Sequence, residues 1–547
     1  MGGFISFLVA LAVTTALLPI LIRVATPLGF VDRPNARKVH AKIVPRIGGI
    51  AMVAGVIVST LVGGEANKEI VALLVGVAVL SLFGALDDRF DLNYKIKFIG
   101  QIAAAAIVVL YGDVLIERIP FYDGTLPPMV AIPLTILVLL ATINAINLSD
   151  GLDGLAGGVS LLSLGTIALL AHSSAAAQIL IIALAVIGSV FGFLRFNTYP
   201  AVVFMGDTGS QFLGFAVGVL TIQLTQSAAP SLSSVLPFML LGLPIIDTLM
   251  VMVQRASKGA SPFRPDRNHI HHKLLELNFD HYEAVFIIYV IQASFVALGF
   301  ALRFQWDTLV LMTYLAVSAA VLTTFRWALW SKWRYRTTTN ADRGSTLSAY
   351  FQQLRSSGRL EGAALIYLVL TIVAYVIFAV AYPEKIPRDL GLLAAAMASV
   401  QLMLLFIRKS GPLIAVERIG LYVTIGVSIY LMQSAPPIPV FGGKIEQVVF
   451  ISMAVAGMIA IRYTTQPTRF QFTPLDFLML LIVLVLPRVL ELQTNTSPNW
   501  QLGIAKLVVL FYAIELLVNR LISWRRGLRV VQVALLAFGG FRAILGY

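Results

Sequence analysis

Runs of about 20 apolar residues, long enough to cross a bilayer as a helix, follow one another along the whole chain with short polar islands between them. In the first part of the chain they fall at 4–22, 48–62, 70–86, a stretch ending near Tyr111, 129–141, 159–171, 175–193, 212–224, 237–253, 284–301 and 308–322. The segment 326–359 is strongly basic. A second series of runs follows near 363–382, 390–407, 413–432, 448–461, 472–490 and 502–518, with a shorter one at 530–545. The pattern predicts an all-α polytopic integral membrane protein, with an eleven-helix core in residues 1–340 and about six or seven further membrane helices in 341–547.

Composition agrees with this class. The chain has 547 residues, of which 58% are hydrophobic and only 12% charged, against about 25% charged in soluble proteins. Its formal charge of +13 would point to nucleic acid in a soluble protein. Here most Lys and Arg lie in short loops between apolar runs, which is the positive-inside pattern of a multi-pass protein of the cell's inner (plasma) membrane. No nucleic-acid partner is therefore expected. The basic loops are suited to anionic headgroups or to a phosphorylated substrate. The first run has no basic residue before it and Arg23 just after it, so it reads as an anchor with its N-terminus outside the cytoplasm. Eleven spans that start outside end inside, where the basic 326–359 segment is expected. With no cysteine in the chain, disulfides and thiolate metal sites are excluded.

Four polar islands of the first part fall on the same, cytoplasmic, side. The fullest is Asn144-Ala-Ile-Asn-Leu-Ser-Asp-Gly-Leu-Asp-Gly-Leu-Ala-Gly-Gly158, directly after the fifth run. Carboxylates and loose backbone are tolerated at membrane depth only beside water, protein or a ligand. Asp150 and Asp153 share a face if that stretch is helical, although Asp150 could equally cap a helix. The other islands are Asp87-Asp88, the segment 197–209 with Asp207 between two glycines, and the segment 264–273 with three of the six histidines. Adjacent carboxylates resist joint ionisation unless a cation lies close. Hard oxygen ligands without thiolates suit Mg²⁺, with Mn²⁺ as an alternative, and Mg²⁺ completes its shell with phosphate oxygens. A cation and basic residues would neutralise a pyrophosphate, and a carboxylate or His could take a proton. These residues suit phosphoryl transfer from a soluble nucleotide donor to an acceptor held in the membrane. His40, His172 and His281 stand alone and read as structural, and Asp247 is an acid inside the ninth run.

The blocks "GALDDRFDLNYKIK", "NAINLSDGLDGLAGG", "FNTYPAVVFMGDTGSQFLG" and "PDRNHIHHKL", in that order between Gly84 and Leu274, resemble the polyprenyl-phosphate N-acetylhexosamine-1-phosphate transferases. The nearest branch is the one that uses UDP-N-acetylglucosamine and undecaprenyl phosphate. "RKVHAKIVPRIGG" is similar to the first inner loop of that family. The resemblance runs to about Arg326. It implies transfer of a sugar-1-phosphate from a UDP-sugar to undecaprenyl phosphate, with release of UMP and dependence on Mg²⁺. It further implies that Asp87, with Asp88 beside it, addresses the lipid phosphate as a base or as a covalent nucleophile, and that Asp207 is the metal ligand. Asn147, Asp150 and Phe204 match nucleotide-pocket positions, and Asp153 is an acid of the same loop. Asn197, Lys95 and, more loosely, Lys42 match polar positions lining the site. His269, His271 and His272 fall in the histidine motif, His271 and His272 with a catalytic role, and Arg264 adds a basic contact to substrate. The expected partners are a UDP-sugar, undecaprenyl phosphate and membrane lipids, with a homodimer left open. Two alternatives stand beside this reading: the cousin phospho-N-acetylmuramoyl-pentapeptide transferase, and a secondary transporter of a different class. The block 341–547 carries no comparable polar island and lies outside the resemblance, so its role is open.

Overall fold

A bilayer offers no water to backbone amides and carbonyls, so each apolar run must satisfy its own hydrogen bonds, and a helix does so. The computed structural model describes residues 2–32, 43–62, 67–122, 124–229, 231–259 and 268–331, then 358–383, 424–433, 445–463, 499–520, 525–545 and a few single positions between these. It divides into two compact units, Met1–Thr338 and Thr339–Tyr547.

The first unit follows the predicted order. Its long helices are α1 Gly2–Leu28, α2 Gly48–Val62, α3 Lys68–Phe90, α4 Tyr94–Ala106, α5 Pro128–Ser149, α6 Leu155–Ser173, α7 Ala177–Asn197 and α8 Gly206–Gln223. Next come a short α9 Leu236–Leu240, α10 Gly242–Ser257, a short α11 Ile270–Glu276, α12 His281–Ala301 and α13 Asp307–Trp330. Turns of π-helix extend α4 over Ile107–Tyr111 and α8 over Leu224–Ala228. Polar residues start helices where the chain turns. Asn67 accepts the Ile70 amide ahead of α3, and Asp280 and Glu283 form a reciprocal capping box at α12. Among the described residues nine helices are long and apolar enough to cross a membrane, eight in this unit and Arg359–Ala381 in the other.

Helices α6, α7 and α8 form the centre. Nearly every residue of α8 from Thr208 on is buried, and α1, α2, α3 and α5 pack around α7 and α8. Helix α13 is largely exposed, with Trp306 at one end and Trp327 and Trp330 at the other. Tryptophans at both ends of an apolar helix fit the two interfaces of a bilayer.

Two features depart from the sequence reading. The expected all-α fold includes a small antiparallel ribbon in which Val31-Asp32 (β1) pairs with Val44-Pro45 (β2). The predicted ninth span, 237–253, is not one helix but the pair α9 and α10, broken at Leu241. Pro244 has no N–H to offer the carbonyl four residues back, at Leu240. That carbonyl accepts instead from Ser163 Oγ at 2.6 Å and from Gln292 Nε2 at 2.8 Å. The Leu243 amide donates to Gln292 Oε1 at 3.0 Å. Side chains of α6 and α12 thus replace the lost helical bonds, as a break at membrane depth requires.

In the second unit Arg359–Ala381, Thr424–Gln433, Ile445–Arg462, Asn499–Arg520 and Arg525–Leu545 are helical. The predicted runs at 390–407 and 472–490, and most of 413–432, lie outside the described residues except at single positions. Buried Lys506 pairs with Glu446 at 2.6 Å, and Tyr375 donates to the same carboxylate at 3.1 Å. Arg542 caps the end of the first of these helices through the carbonyls of Val380 and Pro383.

The plugged break gives a prediction for the first unit. Gln292→Leu strips the Leu243 amide of its acceptor and takes one donor from the Leu240 carbonyl. It is expected to destabilise by about 1–3 kcal/mol, and more than Ser163→Ala, in thermal unfolding of the detergent-solubilised protein.

Candidate active site

Asp87 and Asp88 are neighbours on α3, so their side chains diverge by about 100° and meet different elements. Asp88 turns to the start of α8. Its Oδ1 accepts the Asp207 amide at 2.8 Å, and its Oδ2 accepts the Thr208 amide at 3.1 Å and the Thr208 hydroxyl at 2.7 Å. A carboxylate from another helix here does the work of an N-cap. Gly206 has φ +67°, and a Cβ at that position would collide with this carboxylate, so only glycine fits both constraints.

Asp87 faces α4. Its Oδ1 accepts the Leu92 amide at 2.7 Å, and its Oδ2 pairs with Lys97 Nζ at 2.5 Å. The same ammonium lies 2.8 Å from Asp207 Oδ2. Asp91, at φ 48°, ends α3 in the left-handed conformation and folds α4 back over the end of α3. That reversal decides which lysine reaches the carboxylates. Lys95, the expected site residue, is exposed, with its backbone amide capped on Asn93 at 3.1 Å. Lys97, two residues on, makes the contact.

The island after α5 forms the adjoining wall. Asn147 Oδ1 accepts from Ser210 Oγ at 2.7 Å, joining α5 to α8. Asp150, half-buried, follows at the end of α5. Burial pushes its carboxyl up to about 7, helped by the negative charges of Asp207, Asp153 and Asp88 and opposed by Arg46. Asp153 and Asn197 tie loops together. Asp153 Oδ2 accepts the Ala201 amide at 2.9 Å. Buried Asn197 accepts the Gly154 amide and donates to the Val203 carbonyl, both at 2.9 Å. Phe204 is held through its backbone: its amide donates to Pro45 O at 2.8 Å and its carbonyl accepts the Gly48 amide at 2.9 Å. That junction brings Arg46 beside the acids, where it pairs with Asp32 at 2.6 Å. Deeper in the bundle a chain of amides runs from Asn144 to Gln101, Gln211 and then Asp207 Oδ2, at 2.8, 3.2 and 3.3 Å.

The histidine motif closes the far side. Asp247, the acid inside the ninth run, accepts the Ile270 amide at 2.8 Å and lies 2.9 Å from His269 Nδ1. It thereby fixes the start of α11. His271 is buried against Gly151, where a Cβ would collide with the imidazole. Burial, and then the neighbouring imidazoles His272, His269 and His281, hold His271 well below the ordinary histidine range. The His269 and His271 rings are nearly parallel at 5.7 Å, and His272 lies 4.2 Å from His271. A cavity of about 20 Å³, lined by Ser149, Asp247 and His271 among others, has room for one water. His281, read from sequence as structural, stacks on Tyr199 at 4.3 Å with its Nε2 3.4 Å from the Asp153 carbonyl. Lys42 and Arg264 lie outside the described residues.

The structure thus joins all four predicted islands. It adds Arg46, Lys97, Gln101, Thr208, Ser210 and Gln211, which the sequence reading did not single out. Asp87 and Asp207, whose carboxylates also lie within hydrogen-bonding reach of each other, present two oxygens to one cation. Among the described residues no three or more His, Asp or Glu side chains converge into a ready-made metal cage. A pair of carboxylates suits Mg²⁺, which commonly takes one or two carboxylates and completes its shell with phosphate and water oxygens.

Residues 70–225 match the model of glycosyl transferase family 4. A probable undecaprenyl-phosphate N-acetylglucosaminyl 1-phosphate transferase from Bacillus subtilis (strain 168) is 39% identical over 290 residues, 52% of this chain and 81% of the relative. Undecaprenyl-phosphate alpha-N-acetylglucosaminyl 1-phosphate transferases from Yersinia pestis and Escherichia coli (strain K12) are 34% and 32% identical. The matches cover 50% and 54% of this chain, and 77% and 84% of those relatives.

The Asp150 environment predicts a pH effect in the ligand-free protein. A carboxyl raised in the folded state contributes stability that is complete below about pH 4 and is lost as pH rises through about 7. Asp150→Asn removes that loss. Its thermal midpoint should exceed that of the unaltered protein at pH 8.5, and the gain should vanish near pH 4.

Proposed function

Because the chain belongs to glycosyl transferase family 4, we propose that it transfers N-acetylglucosamine-1-phosphate from UDP-N-acetylglucosamine to undecaprenyl phosphate at the cytoplasmic membrane face. UMP would be released and a cell-envelope polysaccharide initiated. The observation that carries the reading is the meeting of Asp87 and Asp207, from helices far apart in sequence, on the single ammonium of Lys97. The names of the relatives support the sugar and the lipid. The basic loops support a cytoplasmic site and an outside N-terminus.

In this reading an oxygen of the lipid phosphate attacks the phosphorus that bears the sugar. The bond from that phosphorus to the bridging oxygen breaks, and UMP leaves with that oxygen. Asp87 addresses the lipid phosphate. Asp207, with Asp87 beside it, would hold Mg²⁺, which when bound would neutralise charge on the pyrophosphate. Asn147, Asp150 and Phe204 line the nucleotide pocket, and Arg46 adds a positive charge beside it. Asp88, Asp153 and Asn197 are positioning residues: Asp88 sets the first turn of α8, and the other two lock the loops at 150–154 and 197–205. Asp247 orients His269 and the helix that carries His271 and His272. Residues 1–340 form the transferase domain in this reading, and 341–547 an additional membrane module whose role is open.

A transporter would use a broken helix such as the one at Leu241. That break is filled by Ser163 and Gln292, which favours the enzyme.

Membranes carrying the full chain, given radiolabelled UDP-N-acetylglucosamine, undecaprenyl phosphate and Mg²⁺, are expected to yield a labelled lipid product and UMP. Asp87→Asn and Asp207→Asn should each lower turnover by at least about 10³-fold, the scale of losing a principal electrostatic contact. A fully active Asp207→Asn would refute its role. The same assay on a chain ending at Thr338 should retain transfer if the second unit is accessory. A panel of other UDP-sugars, the muramoyl-pentapeptide donor included, should give little product.

A further inference from the structure

We propose that Lys97 is an exchangeable internal counter-ion, whose ammonium takes the carboxylate oxygens a divalent cation needs and must leave before that cation can enter. The inference rests on the reading above, in which Asp87 and Asp207 hold the metal.

The oxygens decide the matter. Both oxygens of Asp88 are committed to the Asp207 amide and to the amide and hydroxyl of Thr208. Asp87 Oδ1 is committed to the Leu92 amide. Asp87 Oδ2 and Asp207 Oδ2 remain facing each other, and Lys97 Nζ lies 2.5 and 2.8 Å from them. An ammonium and a divalent cation repel, and a cation bridging Asp87 Oδ2 and Asp207 Oδ2 needs the lone pairs that Lys97 holds, so that bridging position takes one or the other.

The lysine is also built to move. Its side chain keeps 28% exposure, whereas the Asp87 side chain keeps 6%. A lysine ammonium is a strongly hydrated point charge on a flexible four-carbon stem, so leaving for water costs it less than it would cost a guanidinium fork. The carboxylates stay in place when it goes. Asp207 sits in the first turn of α8, and its Oδ2 also accepts from Gln211 at 3.3 Å. The site therefore alternates between a closed form neutralised by Lys97 and a loaded form neutralised by metal. Buried Asp87 and partly buried Asp207 are then never left facing each other without a cation.

The closed form imposes a cost on metal binding. If the pair is closed nine times in ten, apparent affinity falls about tenfold. The test is a titration of the full chain in detergent with Mn²⁺, following loss of the free-ion electron paramagnetic resonance signal. Lys97→Gln is expected to bind Mn²⁺ about tenfold or more tighter than the unaltered protein. Arg89→Gln removes an exposed positive charge two residues from Asp87 without touching the pair, and should change affinity less than about twofold. Lys97→Arg, which grips carboxylates through a rigid fork, should bind Mn²⁺ more weakly.

Equal or weaker binding by Lys97→Gln overturns the proposal, as does an equal gain in Arg89→Gln. If Lys97→Gln does not fold, Lys97→Arg decides: weaker binding supports the exchange, and equal or tighter binding overturns it. Asp207→Asn should abolish binding in either background. If no variant and no unaltered protein binds Mn²⁺, the metal assignment itself fails. If only Lys97→Gln binds, the exchange is supported in its strongest form.

Discussion

The geometry of the site depends on how the first turn of α8 is held. A helix leaves its first four amides without helical partners, and in a buried bundle water cannot supply acceptors. Asp88 supplies two acceptor oxygens from α3. The same bonds fix the orientation of Asp207, because its amide is one of those held. The positive end of the helix dipole favours a carboxylate in that turn. Once Asp88 points at α8, Asp87 must point elsewhere, and the left-handed turn at Asp91 brings Lys97 to meet it. One capping interaction therefore separates two adjacent, chemically identical residues into an anchor and a group left facing the site.

The surrounding loops are held in the same way, by side chains answering backbone groups. Asp153 answers Ala201, Asn197 answers Gly154 and Val203, and Asp247 answers Ile270. All but the Asn197–Val203 bond cross between segments tens of residues apart in sequence. The polar residues that a hydropathy reading marks as candidates for chemistry are thus divided. Some tie loops, and the rest are left facing the site because the ties are complete.

That division explains what could be read in the sequence. The apolar runs of the first unit became helices in the predicted order, because lipid and a buried core impose the same demand on every backbone group. The four islands gathered at one end of the bundle, because helices of similar length joined in alternation must bring them there. The break at Leu241 lay hidden inside a run whose hydropathy is uniform. Pro244 hints at it, but the residues that repair it, Ser163 and Gln292, lie on two other helices. Nor could the sequence choose Lys97 over Lys95. That choice turns on the rotation of α4, set by a left-handed turn at an aspartate, which non-glycine residues seldom adopt. Arg46 is placed by a two-residue ribbon and a backbone junction with Phe204, and neither has a sequence signature.

The balance of charge then links the ligands of the proposed reaction. Among the described residues, Asp87, Asp88, Asp150, Asp153 and Asp207 crowd one end of the bundle beside the cations Lys97 and Arg46, and the crowding is felt at Asp150, raised to about 7. A nucleotide pyrophosphate would add further negative charge beside these acids. It could bind well only if a cation came with it, and a cation entering between Asp87 and Asp207 would gain ligands from the phosphates it accompanied. Linkage makes that dependence mutual: whatever factor the cation adds to donor affinity, the donor adds to cation affinity. In the proposed reaction these acids would therefore favour an anion that arrives with its metal, and a metal arriving without its anion would first have to displace Lys97.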